Sequence, residues 1–396
     1  MEGHTYLLAL AIILLSTKVL GLATELVNMP QIVGALLAGL FLGPAGFGIV
    51  KNTDLLDQLA SLGVIFLMFH AGLETDIKEL KKMGVASLCI AVLGVILPLV
   101  VGTVVYSAFF GMEDHIAMLK AVFTGVVLTA TSVSITVEAL REMGKLNSSV
   151  GSVILGAALI DDILGIIILT VVSGVATPNT DVSSVFIKIG LYVVFLIVVS
   201  MVIKRFFEWM NHKRAYSKRT AVFLISFCLL MTYVTETYFG VADITGAYFA
   251  GMMVCHIEKT RNTVSEKVDI ASYLFFSPVF FASIGLQTDL SDFSGHLVLS
   301  CLVLMIVAIL SKMIGCGLGA KMMKFSNREA LCVGIGMVSR GEVALIVARK
   351  GQEANILDSS IFPAIVLMVI VTTLLTPIML GLAFGKEKND KTPVLN

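Results

Sequence analysis

Gly156-Ala-Ala-Leu-Ile-Asp161-Asp162-Ile-Leu-Gly165 places two adjacent carboxylates deep inside an apolar run from Val150 to Val175. A charged side chain at the centre of a bilayer costs about 2.5–3.5 kcal/mol, so two in succession need a specific environment. Adjacent helical positions diverge by about 100°, and the two carboxylates therefore cannot both face lipid. Buried salt bridges are one interpretation. A cation-binding site is favoured, because ionisable residues inside membrane helices are functional by default.

The composition indicates an all-α polytopic membrane protein. Of the 396 residues, 57% are hydrophobic and only 14% are charged, whereas a soluble domain carries about 25% charged residues. The formal net charge is zero, which argues against nucleic acid as a partner. We expect no enzymatic activity and no cofactor. The cysteines stand singly in apolar stretches, which predicts neither a disulfide nor a metal site; they are Cys89, Cys228, Cys255, Cys301, Cys316 and Cys332.

Apolar runs long enough to cross about 30 Å of hydrocarbon recur along the whole chain. They predict about thirteen transmembrane helices joined by short loops, and the first run is expected to be a retained helix and not a signal peptide. The runs cover 5–25, 30–50, 55–74, 84–110, 116–140, 149–174, 184–207, 220–239, 241–257, 268–286, 295–321, 328–350 and 359–384.

The basic residues predict the orientation of these spans. If the amino terminus lies outside, the predicted inner loops collect most of the Lys and Arg, with the densest cluster in residues 204–219. Because cytoplasmic loops carry an excess of basic residues, this distribution predicts a cytoplasmic carboxyl terminus.

Two short motifs recur in the same order about 212 residues apart. The two copies fall seven spans apart, an odd number, so the second copy enters the membrane upside down. Secondary transporters built from inverted repeats place their site near the midplane, and we therefore predict two inverted six-helix repeats. The motifs are Gly34-Ala-x-x-Ala38-Gly39 with Gly246-Ala-x-x-Ala250-Gly251, and Gly72-Leu-x-Thr75-Asp76 with Gly285-Leu-x-Thr288-Asp289.

The repeat predicts a broken helix at matching places in the fifth and twelfth spans. Leu128-Thr-Ala-Thr-Ser-Val-Ser-Ile135 is rich in hydroxyl and β-branched residues, which are poor helix formers. Gly334-Ile-Gly-Met-Val-Ser-Arg-Gly-Glu342 carries three glycines and two charges at mid-span. Unwound backbone at that depth is tolerated only where it is buried in protein or lines a watery cavity.

Three further charged residues lie near the middle of predicted spans. Lys312 is too deep for comfortable snorkelling and needs an anionic partner, for which Asp161 or Asp162 are the candidates. Arg340 and Glu342 are expected to pair with each other or with the backbone ends of the broken helices. By contrast, Lys18 can snorkel to the interface, and His70 is interpreted as a hydrogen-bonded core residue.

Carboxylates, freed carbonyls and hydroxyls in a midplane cavity suit a small hard cation. Burial disfavours the charged carboxylate, so protons and cations compete for it near neutral pH. Competition at one site with alternating access is sufficient for exchange.

The chain resembles the cation:proton antiporter superfamily in its second, bacterial NapA-like branch. The resemblance implies the NhaA-like fold with two broken crossing helices, and electrogenic Na⁺/H⁺ exchange in a bacterial inner membrane. It spans nearly the whole chain and is carried by Ile160-Asp161-Asp162, the Thr129–Ser134 segment, Lys312, Phe69-His-Ala-Gly-Leu-Glu-Thr-Asp76 and Val338-Ser-Arg-Gly-Glu342.

The same resemblance implies residue roles and a domain plan. Asp162 matches the essential Na⁺- and proton-binding carboxylate. Asp161 matches the carboxylate that pairs with Lys312, and we expect it to bind Na⁺ and protons together with Asp162. Thr129, Thr131 and Ser132 lie in the crossover that completes the site. An elevator motion is implied within one transporter unit, 1–396. Residues 1–80 and 220–290 would form a homodimerising panel, 84–174 and 295–384 an ion-binding core, and 184–219 a linker helix and basic cytoplasmic segment.

Other functions stay open at this stage. Potassium-efflux relatives typically carry Gln-Asp where this chain has Asp161-Asp162, which favours Na⁺ or Li⁺ without excluding K⁺ as the exchanged ion. The same scaffold could carry an organic anion together with Na⁺, with Lys312 and Arg340 as anion ligands. A receptor or channel in which the acids only sense ions is a third class.

The orientation is testable by cysteine labelling. With an outside amino terminus, a cysteine introduced at position 213 should react with an impermeant reagent from the cytoplasm, and one at position 180 from outside. Cell-surface labelling of both variants, compared with labelling in everted vesicles, measures this. The reverse pattern would contradict the inverted-repeat assignment.

Overall fold

The computed structural model describes residues 5–26, 29–111, 115–176, 182–212, 218–255, 272–287, 298–353, 356–357 and 361–385. Within these ranges the chain folds into fifteen α-helices and one π-helical turn, Ser272–Phe276, that leads directly into α11. The helices are α1 (Thr5–Leu26), α2 (Gln31–Leu42), α3 (Asp54–Glu74), α4 (Ile77–Phe110), α5 (His115–Thr129), α6 (Val133–Glu142), α7 (Ser149–Ala176), α8 (Val182–His212), α9 (Lys218–Phe239), α10 (Asp243–Val254), α11 (Ser277–Leu286), α12 (Val298–Met322), α13 (Asn327–Gly336), α14 (Glu342–Glu353) and α15 (Phe362–Phe384).

The fold is that of a multi-pass membrane protein. In the described part of the chain, nine helical stretches are long and apolar enough to cross a membrane, and Gln31–Leu42 and Ser272–Leu286 are shorter apolar helices. The predicted all-α membrane fold is confirmed, while the count of thirteen spans stays a prediction.

Helix α2 is shorter than the sequence predicted. The apolar run covers 30–50, but the helix ends at Leu42, where Gly43 and Pro44 follow and the chain turns. Its counterpart in the second repeat, α10, also has 12 residues. At 1.5 Å per residue, each of these helices is about 18 Å long.

Both predicted helix breaks are confirmed. Helix α5 stops at Thr129 and α6 starts at Val133, while α13 stops at Gly336 and α14 starts at Glu342. The two interruptions lie against each other: the Ser132 amide donates to the Ser339 carbonyl oxygen at 2.8 Å. The broken helices therefore cross at their unwound segments.

The repeated glycine motifs pack against each other across the two repeats. A Cβ atom added to Gly39 of α2 would lie 2.0 Å from the Ala282 carbonyl oxygen of α11, and one on Gly285 would lie 2.3 Å from the Leu40 amide nitrogen. Added to Gly251 of α10, it would lie 2.2 Å from the Phe69 carbonyl oxygen of α3.

The converse contact completes this second pair. A Cβ atom on Gly72 of α3 would lie 2.2 Å from the Tyr248 carbonyl oxygen of α10. The α2–α11 and α3–α10 pairs are thus the same contact made twice, with the roles of the repeats exchanged. Thr288 and Asp289, which extend the second motif, lie outside the described residues.

A second set of glycines brings the broken helices close to the long helices α4 and α12. Helix α4 packs against α5, α7 and α12. Gly125 of α5 faces the Leu99 carbonyl oxygen of α4, and Gly334 of α13 faces the Met313 carbonyl oxygen of α12 in the corresponding way. Without side chains at these positions the backbones approach closely, as in other membrane helix pairs.

Helix α6 contacts α2 and α3 through polar side chains at its end. The Glu142 carboxylate accepts from the Gln31 amide at 2.6 Å and the Ile32 amide at 3.1 Å, which satisfies orphan donors at the start of α2. Arg141 Nη2 lies 2.9 Å from His70 Nε2, so the expected hydrogen bond of His70 is present. Arg141 Nε also lies 3.5 Å from Glu74 Oε2.

These backbone contacts predict that single methyl groups destabilise the fold. Gly39→Ala and Gly251→Ala should each lower the free energy of unfolding by about 1–3 kcal/mol, because the added methyl meets backbone that cannot rotate away. Gly84→Ala is the matched control, since nothing lies within 4 Å of its added Cβ. Thermal unfolding in detergent measures the difference, and equal melting temperatures for all three variants would contradict the assigned contacts.

Candidate functional site

The site is built around a buried ion pair between α7 and α12. Lys312 Nζ lies 2.8 Å from Asp161 Oδ1, and the exposed fractions of the two side chains are 0% and 2%. The expected partner of Lys312 is therefore Asp161. At this distance the bond is charge-assisted and short, and each charge offsets the desolvation of the other.

Lys312 also connects this ion pair to the first helix break. Its Nζ donates to the Thr129 carbonyl oxygen at 2.7 Å, a carbonyl that the end of α5 leaves without a helical partner. The Thr129 hydroxyl itself donates to the Val126 carbonyl of its own helix at 2.8 Å. Thr129 thus contributes its backbone oxygen to the site, and its hydroxyl stays within α5.

Arg340 lies in the second break and also donates hydrogen bonds to backbone carbonyls at the crossing of the broken helices. Its side chain is fully buried, and Nη1 donates to the Ala130 carbonyl oxygen. Nη2 donates to the Ala308 carbonyl oxygen of α12 at 3.1 Å. Of the two expected arrangements for Arg340, the bond to a backbone end is present, and the Glu342 side chain lies outside what the structure describes.

Hydroxyl groups tie the two breaks together. The Ser339 hydroxyl donates to the Ser132 carbonyl oxygen at 2.8 Å. The Thr136 hydroxyl, in the first turn of α6, lies 2.7 Å from Ser339 Oγ. Ser132 and Ser339 are therefore joined in both directions, which fixes the unwound segments relative to each other.

Asp162 faces a different neighbour from Asp161. Its Oδ2 accepts from the Thr245 hydroxyl of α10 at 3.3 Å, and both side chains are buried. The adjacent carboxylates thus point toward separate partners, as their helical spacing requires. Sequence analysis missed Thr245, although the motif comparison held a signal: Thr245 precedes Gly246, where the first copy has Val33 before Gly34.

The four buried charges nearest the crossing balance, apart from the buried Glu138, which lies 3.6 Å from Arg141. Asp161, Asp162, Lys312 and Arg340 sum to zero formal charge when all are ionised. The Thr131 hydroxyl is buried in the first break and has no hydrogen-bond partner among the described residues, so its oxygen is available to a ligand. A carboxylate, this hydroxyl and unwound backbone offer hard oxygen donors, which suit an alkali cation.

A separate cavity of about 290 Å³ lies between α1, α2, α6 and α11, and its lining does not include Asp161 or Asp162. Its polar side chains are those of Thr17, Lys18, Gln31, Glu138, Glu142, Tyr273 and Ser277. Lys18 Nζ reaches Tyr273 Oη at 3.2 Å from an exposed position, consistent with a snorkelling lysine. Glu138 is six residues, about 9 Å along α6, from Ser132, so the cavity approaches the crossing.

Comparison with known proteins places this geometry in a family. Residues 8–385 match the family described as sodium/hydrogen exchanger, transmembrane. The chain is 40% identical over 385 residues to the Na(+)/H(+)-K(+) antiporter GerN of Bacillus cereus, covering 96% of this chain and 97% of that protein. It is 36% identical over 375 residues to a Na(+)/H(+) antiporter of Enterococcus hirae, covering 94% and 96%.

A solved structure shares the fold. The sodium proton antiporter MjNhaP1 from Methanocaldococcus jannaschii superposes with a TM-score of 0.69 over 96% of this chain and 97% of that chain, at 17% sequence identity. With the family match over nearly the whole length and the crossing of two broken helices, the conclusion is direct: this chain belongs to the sodium/hydrogen exchanger family.

Proposed function

We propose that this protein is a secondary active Na⁺(Li⁺)/H⁺ antiporter in which cations and protons compete for Asp162 beside the Asp161–Lys312 pair. The observation that carries the proposal is the buried ion pair at 2.8 Å, which also holds the Thr129 carbonyl at the break. In this role Asp162 is the carboxylate that loads either ion, and we assign Thr131 and Ser132 of the first break as further ligands of the cation. Na⁺ and H⁺ are transported substrates, and we propose no bound cofactor.

The packing of the helices supports the proposed assignment of a panel and an ion-binding core. Helices α1, α2, α3, α9, α10 and α11 pack among themselves, and we assign this set, with residues 1–80 and 220–290, as the panel. The helices of 84–174 and 295–384 form the ion-binding core, and 184–219 links the halves. Elevator motion of the core would expose Asp162 alternately to each side in a homodimer with lipid contacts. The amino terminus would lie outside a bacterial inner membrane, and the carboxyl terminus inside.

Potassium is the second candidate ion. The relative from Bacillus cereus is a Na(+)/H(+)-K(+) antiporter and is 40% identical to this chain. We therefore include K⁺, alone or with Na⁺, as an alternative substrate of the same site. The preference between Na⁺ and K⁺ depends on the size of the space that the oxygen ligands enclose. Exchange measured with each cation separately gives this preference most directly.

An organic-anion symporter is less compatible with the site. An anion would need a cationic side chain as its ligand, but Lys312 contacts Asp161 and the Thr129 carbonyl. Arg340 donates to the carbonyls of Ala130 and Ala308. Both cations of the crossing are thus engaged by the chain itself, although Nε of Arg340 has no hydrogen-bond partner among the described residues.

Exchange should depend on the ionisable group of Asp162. Asp162→Asn keeps the shape of the side chain and removes its charge, so dissipation of a pH gradient by Na⁺, Li⁺ or K⁺ should vanish in everted vesicles while membrane expression survives. Asp54→Asn, at an exposed position in α3, is the control and should exchange normally. Normal exchange by Asp162→Asn would rule out the proposed site, and a wild type inactive with all three cations would favour the symporter or receptor.

The Lys312–Asp161 pair makes a separate prediction on stability. Lys312→Met should lower stability by about 3–5 kcal/mol, because the Asp161 charge is left buried and alone. Adding Asp161→Asn removes that charge and should restore much of the loss. Melting temperatures of the wild type, both single variants and the double variant measure the coupling. Additive losses in the double variant would mean that the two side chains are not energetically paired.

The same four proteins separate a structural lysine from one that releases a proton. If Lys312 also releases a proton during transport, the restored double variant should exchange ions with a smaller current per cation on a supported membrane. An undiminished current per cation would leave Lys312 with a structural role only.

A further inference from the structure

The hydrogen bond between Thr245 and Asp162 joins two helices that belong to different packing groups. Thr245 lies in the first turn of α10, a helix held against α3 by the contacts of Gly251 and Gly72. Asp162 lies on α7, which packs against α4. The 3.3 Å contact between Thr245 Oγ1 and Asp162 Oδ2 therefore brings a hydroxyl from the panel side to the carboxylate of the core side.

Several buried threonines donate within their own helix, whereas Thr245, like Thr136, Thr235 and Thr373, bonds to another part of the chain. Thr75, Thr124 and Thr232 donate to the carbonyl oxygen four residues earlier, at 2.7–2.9 Å. Such bonds satisfy a hydroxyl within its own helix. Thr245 instead directs its fully buried hydroxyl to a carboxylate 83 positions away in the chain.

The repeat shows that the packing of this position does not require a hydroxyl. The equivalent residue in the first motif copy is Val33, which is also buried, at 2% exposure. Thus the first copy of the motif has an apolar side chain where the second copy has the hydroxyl that bonds Asp162.

We propose that Thr245 is a cation ligand supplied to Asp162 by α10. A threonine hydroxyl has one donor and two lone pairs, and it rotates to suit its neighbour. In the empty site it donates to the ionised Asp162, and when a small alkali cation binds, it turns a lone pair toward the ion. Two oxygens 3.3 Å apart can both reach a hard cation at distances of ~2.4 Å. The inference rests on the proposed function and adds a residue to its binding site.

The test compares side chains that differ by one oxygen atom. Thr245→Val is isosteric and places in the second motif the residue found in the first, while Thr245→Ser keeps the hydroxyl. Thr245→Ala provides a second hydroxyl-free variant that cannot overpack, in case valine impairs folding. Thr232→Val is the matched control, because it removes a buried hydroxyl whose described hydrogen bonds are to Cys228 of its own helix, α9.

Two measurements are needed. The first is the dissipation of a pH gradient by Na⁺ and Li⁺ in everted vesicles. The second is the rise in melting temperature of the purified protein when NaCl is added, compared with choline chloride. Thr245→Val and Thr245→Ala should raise the KM for Na⁺ about tenfold or more, since one ligand to a charged species is lost. Their Na⁺-induced rise in melting temperature should shrink accordingly. Thr245→Ser and Thr232→Val should stay near the wild type in both.

Each other outcome has a defined meaning. A wild-type KM for Thr245→Val or Thr245→Ala would overturn the inference while leaving the antiporter intact. So would equal losses in Thr245→Ser and Thr245→Ala, because then the hydroxyl is not what matters. A wild type that neither exchanges nor is stabilised by any alkali cation would overturn the proposed function itself, and this inference with it.

Discussion

The structure depends on one requirement. The N–H and C=O groups of unwound backbone inside a membrane must find hydrogen-bond partners within the protein, because neither lipid nor bulk water supplies them. Interrupting two helices at the same depth releases carbonyl and amide groups whose desolvation costs several kcal/mol each when unpaired. The chain meets this requirement by crossing the two interruptions. The Ser132 amide binds the Ser339 carbonyl, and the long cations Lys312 and Arg340 cap the carbonyls of Thr129 and Ala130.

That solution explains why charge is concentrated at the crossing. A lysine and an arginine can reach released carbonyls, but their burial needs counter-charges, and Asp161 lies 2.8 Å from Lys312. One carboxylate is thus used to hold the break, while its neighbour Asp162 faces α10. Because adjacent residues on a helix point in different directions, a double Asp provides a structural acid and a second acid next to it without any further change in the backbone.

The parts of this arrangement that the sequence predicted are those with a chemical or periodic signature. Hydroxyl-rich and glycine-rich segments inside apolar runs located both breaks, and a lone deep lysine required an acid. The predicted end of α2 was wrong, because the apolar sequence continues past Gly43 and Pro44, whereas the helix ends at Leu42. Neither Thr245 nor the bond of Arg340 to the Ala308 carbonyl was predicted, since the sequence does not distinguish one threonine of an apolar helix, or one backbone carbonyl, from another. Their roles arise only from tertiary proximity.

The neutral sum of Asp161, Asp162, Lys312 and Arg340 has an energetic consequence for the proposed exchange. A bound Na⁺, or a proton on Asp162, each brings the crossing to a charge of +1. If Lys312 keeps its proton throughout, both loaded forms carry the same charge, and the membrane potential does no net work over a cycle. If cation binding expels that proton, one charge crosses per cycle, and 100 mV contributes about 2.3 kcal/mol. That energy is equivalent to an about fifty-fold ratio of cation concentrations across the membrane. Whether Lys312 keeps its proton therefore determines whether the membrane potential, in addition to the pH gradient, drives the exchange.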